Sequence, residues 1–167
     1  MLCVDATAGH GRDTLLLCRL VGERGRVLAF DIQAQALEST RCLLAEHGML
    51  VRAQLIRDSH SNLEKYLKDE ELIYAAVFNL GYLPGGNHSL FTRADTTIAA
   101  LEKILRRLPS CGFVAVCVYY GGDSGFDEHD AVLAYLKTID PHLYTVMLHD
   151  FCNRPNCPPL FVVIEKH

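Results

Sequence analysis

A chain of 167 residues, half of them hydrophobic, is long enough to bury the core of one compact domain and too short for two. Its 16 Lys and Arg stand against 20 Asp and Glu, and the resulting formal charge of −4 excludes a broad basic nucleic-acid face while leaving room for a small RNA contact. No apolar run reaches roughly 18 residues and no charged-then-apolar leader is present, so neither a membrane span nor a signal peptide is expected.

The first apolar run, Leu2 to Val4, leads through Asp5 into "ATAGHGRDT", where Gly9 and Gly11 flank one residue and Asp13 to Leu20 opens a helix. "RVLAFDIQ" (26–33) predicts a strand ending in Asp31, "AQALESTRCLLAEHG" a helix stopping at Gly48, and "VRAQLIRD" a strand ending at Asp58. "SNLEKYLKDEE" predicts a short helix opened by a capping box of Ser61 and Glu64. "IYAAVFNLGYLPGG" predicts a strand that breaks into a loop at Asn79. Thr92 to Leu108 is the next helix, "FVAVCVYYGG" the fifth strand, and Asp127 to Ile139 a further helix. "LYTVMLHDF" and "LFVVIEK" are joined by "NRPNCPP", too short for a parallel crossover, so they predict an antiparallel hairpin.

This alternation predicts an α/β domain over 1–167 with a doubly wound, seven-stranded, mostly parallel sheet. Five βα units followed by a hairpin resemble the Rossmann-like class I S-adenosylmethionine-dependent methyltransferases. The first strand begins at residue 2, where such domains usually carry a leading segment, and an N-terminally short version is expected. Seven cysteines, an odd number, do not suit a disulfide framework. Cys3, Cys18, Cys42 and Cys117 lie in apolar stretches and read as small buried hydrophobes of a cytoplasmic protein.

In such a sheet the ligand sits at the carboxyl ends of the strands. Asp31, 20 residues beyond Gly11, is placed to accept the hydroxyls of an adenosine ribose. The third glycine of a dinucleotide fingerprint is replaced by Thr14, and a carboxylate just before the turn disfavours a pyrophosphate. Asp5 and the turn's amides suit instead a zwitterionic amino-acid group, as in S-adenosylmethionine. Asp58, Ser59 and His60 follow the third strand, where a polar side chain meets the adenine amine; His60 is alternatively a general base. "NLGY" (79–82) resembles the Asn/Asp-Pro-Pro-Tyr/Phe loop of amino-group methyltransferases, with Asn79 and Tyr82 kept and both prolines replaced. Such a loop orients an amine lone pair toward a methyl donor, a task of positioning. Tyr119 ends the fifth strand on the same edge, and Arg154, flanked by Asn153 and Asn156, is a phosphate or base contact. His149, Cys152 and Cys157 fit no zinc spacing, so no metal is expected.

Together "DATAGHGRDT", "FDIQ", "DSH", "FNLGYLPGG", "TTIAALE", "YYGG" and "NRPNCPPLFVVIEK" resemble the MnmM/YtqB-type tRNA 5-(aminomethyl)-2-thiouridine methyltransferases, a family also labelled rRNA methylases. The match runs through nearly the whole chain, although His10 and Arg12 stand where members commonly show Asn and His. The resemblance implies methyl transfer from S-adenosylmethionine to the amine of 5-aminomethyl-2-thiouridine at the tRNA wobble position, in the anticodon region. It implies a cofactor on Asp5, Thr7, Ala8, Gly9, His10, Gly11 and Asp13, with Asp31, Ile32 and Gln33 at the ribose and adenine, and Asp58, Ser59 and His60 closing the pocket. Asn79, Leu80 and Tyr82 then face the acceptor as catalytic residues, and Tyr119, Asn153 and Arg154 touch substrate. Two alternatives stay open: a methyltransferase of rRNA or of a small-molecule amine, and a catalytically silent cofactor-binding domain. A homodimer is an open alternative to the monomer, since a dimer patch has no sequence signature.

Overall fold

The computed structural model describes residues 1–81, 91–119, 125–155 and 158–167. Four strands of the N-terminal part pair in parallel: β1 (Leu2–Asp5), β2 (Arg26–Phe30), β3 (Ala53–Ile56) and β4 (Ala75–Leu80). Next come β5 (Phe113–Val118), parallel to β4, and the antiparallel pair β6 (Tyr144–His149) and β7 (Leu160–Lys166). The seven-stranded order is β3-β2-β1-β4-β5-β7-β6, so the C-terminal hairpin inserts its second strand beside β5. This is the mostly parallel Rossmann-like sheet with a terminal hairpin that the alternation predicts.

Strand side chains alternate between two faces, and both are covered. Leu2 and Val4 of β1 join Phe30, Phe78, Val114 and Ile164 in one core, packed by Leu101 and Ile104 of α3 (Ala94–Arg107) and Val132 and Leu136 of α4 (Gly125–Leu136). Cys3 faces the other way, into a core with Leu15, Leu17 and Cys18 of α1 (Arg12–Leu20) and Leu44 of α2 (Ala34–Glu46). The thiol reading holds for Cys3 and Cys18, which are buried, whereas Cys117 is half-buried and Cys42 is exposed. Cys42 sits between the buried Thr40 and Leu44 on α2, on the helix's outer side, where an apolar sequence neighbourhood does not decide burial.

Three local expectations change. The strand expected to break at Asn79 runs on to Leu80, because β5 supplies partners for both residues (Asn79 beside Cys117, Leu80 beside Val118). The helix expected after Asp58 is a 3-10 helix, His60–Tyr66, and its cap is Ser59 rather than the Ser61–Glu64 box. Ser59 Oγ accepts the Ser61 N–H at 3.3 Å, while Asp58 accepts from Asn62 and Tyr66 along the same segment. The third strand is also shorter than expected, since Leu50–Arg52 form a 3-10 turn before it.

The Phe30 ring lies fully buried with the Tyr66 ring edge-on at 5.5 Å, and Tyr66 in turn holds Asp58. Phe30→Ala should therefore cost about 3–5 kcal/mol of stability, the range for an aromatic cavity. Urea denaturation measures this, and a loss under about 1 kcal/mol would show that the core collapses to fill the space.

Candidate active site

The carboxyl ends of β1, β2 and β4 converge where β1 leaves the sheet. After Asp5 the chain still reaches β4, with the Ala6 N–H on the Val77 carbonyl at 2.9 Å, and then turns away. β4 continues past this point, and the Asn79 N–H that would face an absent strand is accepted by Thr7 Oγ1 at 2.7 Å. A side chain thus takes over from the backbone ladder, as a half-buried amide requires. The turn that follows is tight: the Gly11 N–H reaches the Ala8 carbonyl at 2.7 Å, and Gly11 caps α1 in the left-handed region at φ 80°. A Cβ on Gly11 would lie 2.8 Å from the Thr40 Cα, so α2 packs against the bare glycine. Thr40 Oγ1 also donates to the Gly9 carbonyl at 3.1 Å.

Three carboxylates bind this turn together. Asp5 is fully buried; Thr14 Oγ1 donates to its Oδ2 at 2.6 Å and the Thr7 N–H to its Oδ1 at 3.1 Å. Burial pushes its pKa up to about 7, against those two hydrogen bonds, with the charges of Asp13 and Asp31 adding to the rise. Asp31 accepts the Gly9 N–H at 3.0 Å and the Gln33 N–H at 2.9 Å, which joins the end of β2 to the glycine turn. Asp13, in the first turn of α1, accepts Nδ2 of Asn79 at 2.6 Å. Its charge also reaches Cys117 and Tyr119, whose pKa values burial raises in the first place.

The segment after β3 is built differently from the sequence expectation. The Asp58 carboxylate accepts the Ser59 N–H at 2.7 Å, Asn62 Nδ2 at 2.8 Å and the Tyr66 hydroxyl at 2.9 Å, and it is held below its usual range chiefly by the Asn62 bond. His60 is buried, with Nδ1 3.0 Å from the Ala6 carbonyl and its ring edge-on to Phe78. A carbonyl only accepts, so Nδ1 carries the proton and Nε2 keeps a lone pair. That buried Nε2 has no hydrogen-bond partner among the described residues. Burial lowers the His60 pKa, so the ring stays neutral.

The structure therefore gathers two hydrogen-bonded groups around the glycine turn, Asp5 with Thr7, Asn79 and Asp13, and Asp31 with Gly9 and Gln33, while Ala8 and Gly11 shape the turn. His10 and Ile32 are exposed beside it, and Leu80 is buried at the end of β4. Tyr119 is exposed next to Gly81, at whose position a Cβ would lie 3.6 Å from the Tyr119 Cβ. Asn153 and Arg154 are exposed on the segment between β6 and β7, outside this cluster, with the Arg154 guanidinium 5.2 Å above the Phe151 ring. Tyr82 lies outside the described residues.

Sequence reasoning missed four polar residues. Thr14 registers there only as a missing glycine, yet its hydroxyl satisfies the buried Asp5. Thr92, Thr97 and Glu128 form a second network at the end of β4. Thr92 Oγ1 accepts the Gly81 N–H and donates to Glu128 Oε2, each at 2.7 Å, while Thr97 Oγ1 donates to Oε1 at 3.1 Å. The Thr92 N–H returns to the Gly81 carbonyl at 3.0 Å, so the backbone just after Asn79 is clamped to α3 and α4. Glu128 sits in "DEHD", one of three acidic residues around His129, and nothing in the sequence singles it out for burial.

Comparison with known proteins agrees with this architecture. A family model described as "Putative rRNA methylase" matches residues 27–165. The chain belongs to that family. It is 34% identical over 171 residues to the chloroplastic tRNA (mnm(5)s(2)U34)-methyltransferase of Arabidopsis thaliana, covering 98% of this chain and 62% of that protein. The chain thus spans about three fifths of the length of this curated relative. A solved Clostridium thermocellum protein of the family's description superposes with TM-score 0.96 at 47% identity, over 99% of this chain and 88% of that one. A Streptococcus mutans methyltransferase solved in complex with SAH superposes with TM-score 0.89 at 42% identity, again over 99% and 88%. With the sheet order, these matches show the class I S-adenosylmethionine-dependent methyltransferase fold. No described helix is long and apolar enough to cross a membrane.

Two predictions follow from the buried turn. The folded Asp5 pKa of about 7 lies above its usual 3.8, so the folded chain keeps a proton that the unfolded chain has released. The stability this contributes is complete below pH 3.8 and is lost as pH rises to about 7. The melting temperature of Asp5→Asn, neutral throughout, should gain on the parent across that window; a pH-independent gap would count against it. Gly11→Ala should cost at least ~1–2 kcal/mol for the left-handed backbone alone, read by urea denaturation.

Proposed function

We propose that this chain, as one domain over 1–167, is an S-adenosylmethionine-dependent N-methyltransferase. It methylates the amine of 5-aminomethyl-2-thiouridine at the tRNA wobble position, giving 5-methylaminomethyl-2-thiouridine, in the cytoplasm. The observation that carries the reading is the bonding of Asn79 to the glycine turn through Thr7 and Asp13. It places an amide at the seam between the end of β1, which suits the cofactor, and the end of β4, which suits an acceptor. The Arabidopsis relative's name and the SAH held by the Streptococcus mutans relative support the same chemistry.

The residues present fit the cofactor. Asp5, fully buried, braces from beneath the turn from Thr7 to Gly11 on which an amino-acid group would sit; Asp31, with Ile32 and Gln33, lies where a ribose would be held; the unpartnered Nε2 of His60 is a buried acceptor beside Ser59 for an amine such as that of adenine. When bound, S-adenosylmethionine supplies an electrophilic methyl group. The protein's task is orientation. Only a neutral amine has a lone pair to give, so acceptors at the Asn79 amide oxygen and the Leu80 carbonyl hold the two amine hydrogens and aim that lone pair. The proton lost after transfer leaves to solvent. The rings of Tyr82 and Tyr119 support the acceptor, and Asn153 and Arg154 contact the RNA.

The deciding experiment is mass spectrometry of nucleosides from tRNA lacking the final wobble methyl group, incubated with the protein and S-adenosylmethionine. A methylaminomethyl-thiouridine peak is expected. Transfer to rRNA alone would move the substrate to the family's older description. Asn79→Ala should lower transfer about a hundredfold, the scale of a lost positioning contact, with cofactor Kd nearly unchanged. Equal loss of both would remove Asn79 from the acceptor side.

A further inference from the structure

The amide of Asn79 has two ends of opposite character, an oxygen that accepts and an NH2 that donates, related by a half-turn about one bond. A hydrogen bond from an amine's N–H can be taken only by the oxygen. With the Asn79 backbone fixed by its N–H on Thr7 Oγ1 at 2.7 Å, the half-turn is the freedom that decides which end faces an acceptor. We propose that Asp13 is the positioning residue that sets this choice, by accepting the NH2 of Asn79 so that its carbonyl oxygen is presented to the amine. This rests on the methyltransferase reading above, and it moves Asp13 from the cofactor's residues to the acceptor's.

The geometry is specific. Asp13 Oδ2 lies 2.6 Å from Asn79 Nδ2, a short charge-assisted bond. An ionised carboxylate only accepts, so a turned amide would set oxygen against oxygen at the same separation. Asp13 stands in the first turn of α1, where the helix dipole favours a negative charge. The other carboxylates of the turn are committed elsewhere: Asp5 to Thr14 and Thr7, Asp31 to the Gly9 and Gln33 N–H groups. The Gly81–Thr92–Glu128 clamp holds the following backbone, so the amide works on a fixed base.

The test is an exchange of the two side chains. Asp13→Leu should lower kcat for the tRNA amine about tenfold or more while Kd for S-adenosylhomocysteine, by calorimetry, stays within about threefold. Asn79→Asp sets two carboxylates together, one of which must stay protonated, and should also be poorly active. The double variant Asp13→Asn with Asn79→Asp restores one donor and one acceptor, and a carboxylate at 79 presents an oxygen whichever way it turns. It should recover at least about tenfold in kcat over Asn79→Asp, with melting temperatures showing all variants folded. A merely structural Asp13 would give no such rescue. A second readout needs no activity: the Asn79 side-chain amide should show an exchange-protected NMR resonance in the wild type that Asp13→Leu abolishes. An unprotected wild-type amide, a loss of S-adenosylhomocysteine affinity that matches the loss of kcat, or a double variant no better than Asn79→Asp would each overturn the proposal. A wild type that shows the protected amide and still leaves tRNA unmethylated would overturn the substrate reading alone.

Discussion

The site depends on one topological fact: β1 leaves the sheet sooner than β4. From that step onward β4 has exposed backbone groups on the side where its neighbour has gone, and buried or half-buried N–H groups must find partners. The chain meets this demand with side chains from the turn that made the gap. Thr7 covers the backbone of Asn79, and Asp13 its side chain. Satisfying the ladder and assembling the site are consequently the same act, and the residues that end β1 are those that position β4's polar terminus.

The carboxylates of this edge are not a diffuse negative surface. Each has both a structural engagement and a characteristic burial. Asp5 lies in the interior, satisfied by a hydroxyl and a backbone amide; Asp31 bridges β2 to the glycine turn; Asp58 braces a 3-10 helix. Among the described residues, hydrogen bonds from neutral groups hold these carboxyl groups in place. Such an edge is organised in advance, with little rearrangement left to make.

Much of this was legible in the sequence because the governing signals were local. Alternating apolar runs, the glycine turn and the short "NRPNCPP" connection indicate the doubly wound sheet and its antiparallel end, and Asp5 and Asp31 fall at strand ends as read. What stayed hidden were bonds across long sequence separations. Thr14 sits nine residues from Asp5 and Glu128 36 from Thr92, and no spacing rule relates either pair. The strand beyond Asn79 was invisible for the same reason, since only the partner strand β5 decides that it continues. At Ser59 and Ser61 two local patterns competed, and Ser59 became the cap of the tighter helix.

The place of β7 bears on the order in which the molecule is made. The strand next to β5 follows the other six in chain order, and β6, which precedes it, lies outside it and has no direct seat on β5. During synthesis the five parallel strands can assemble while the outer edge of β5 still presents unpaired N–H and C=O groups, the feature that invites pairing with other chains. Until Leu160–Lys166 leaves the ribosome, β6 has nowhere to dock and that edge stays open. The seventh strand therefore acts as a closing bolt on a nascent chain, and the interval before it arrives is when this sheet is most exposed to aggregation.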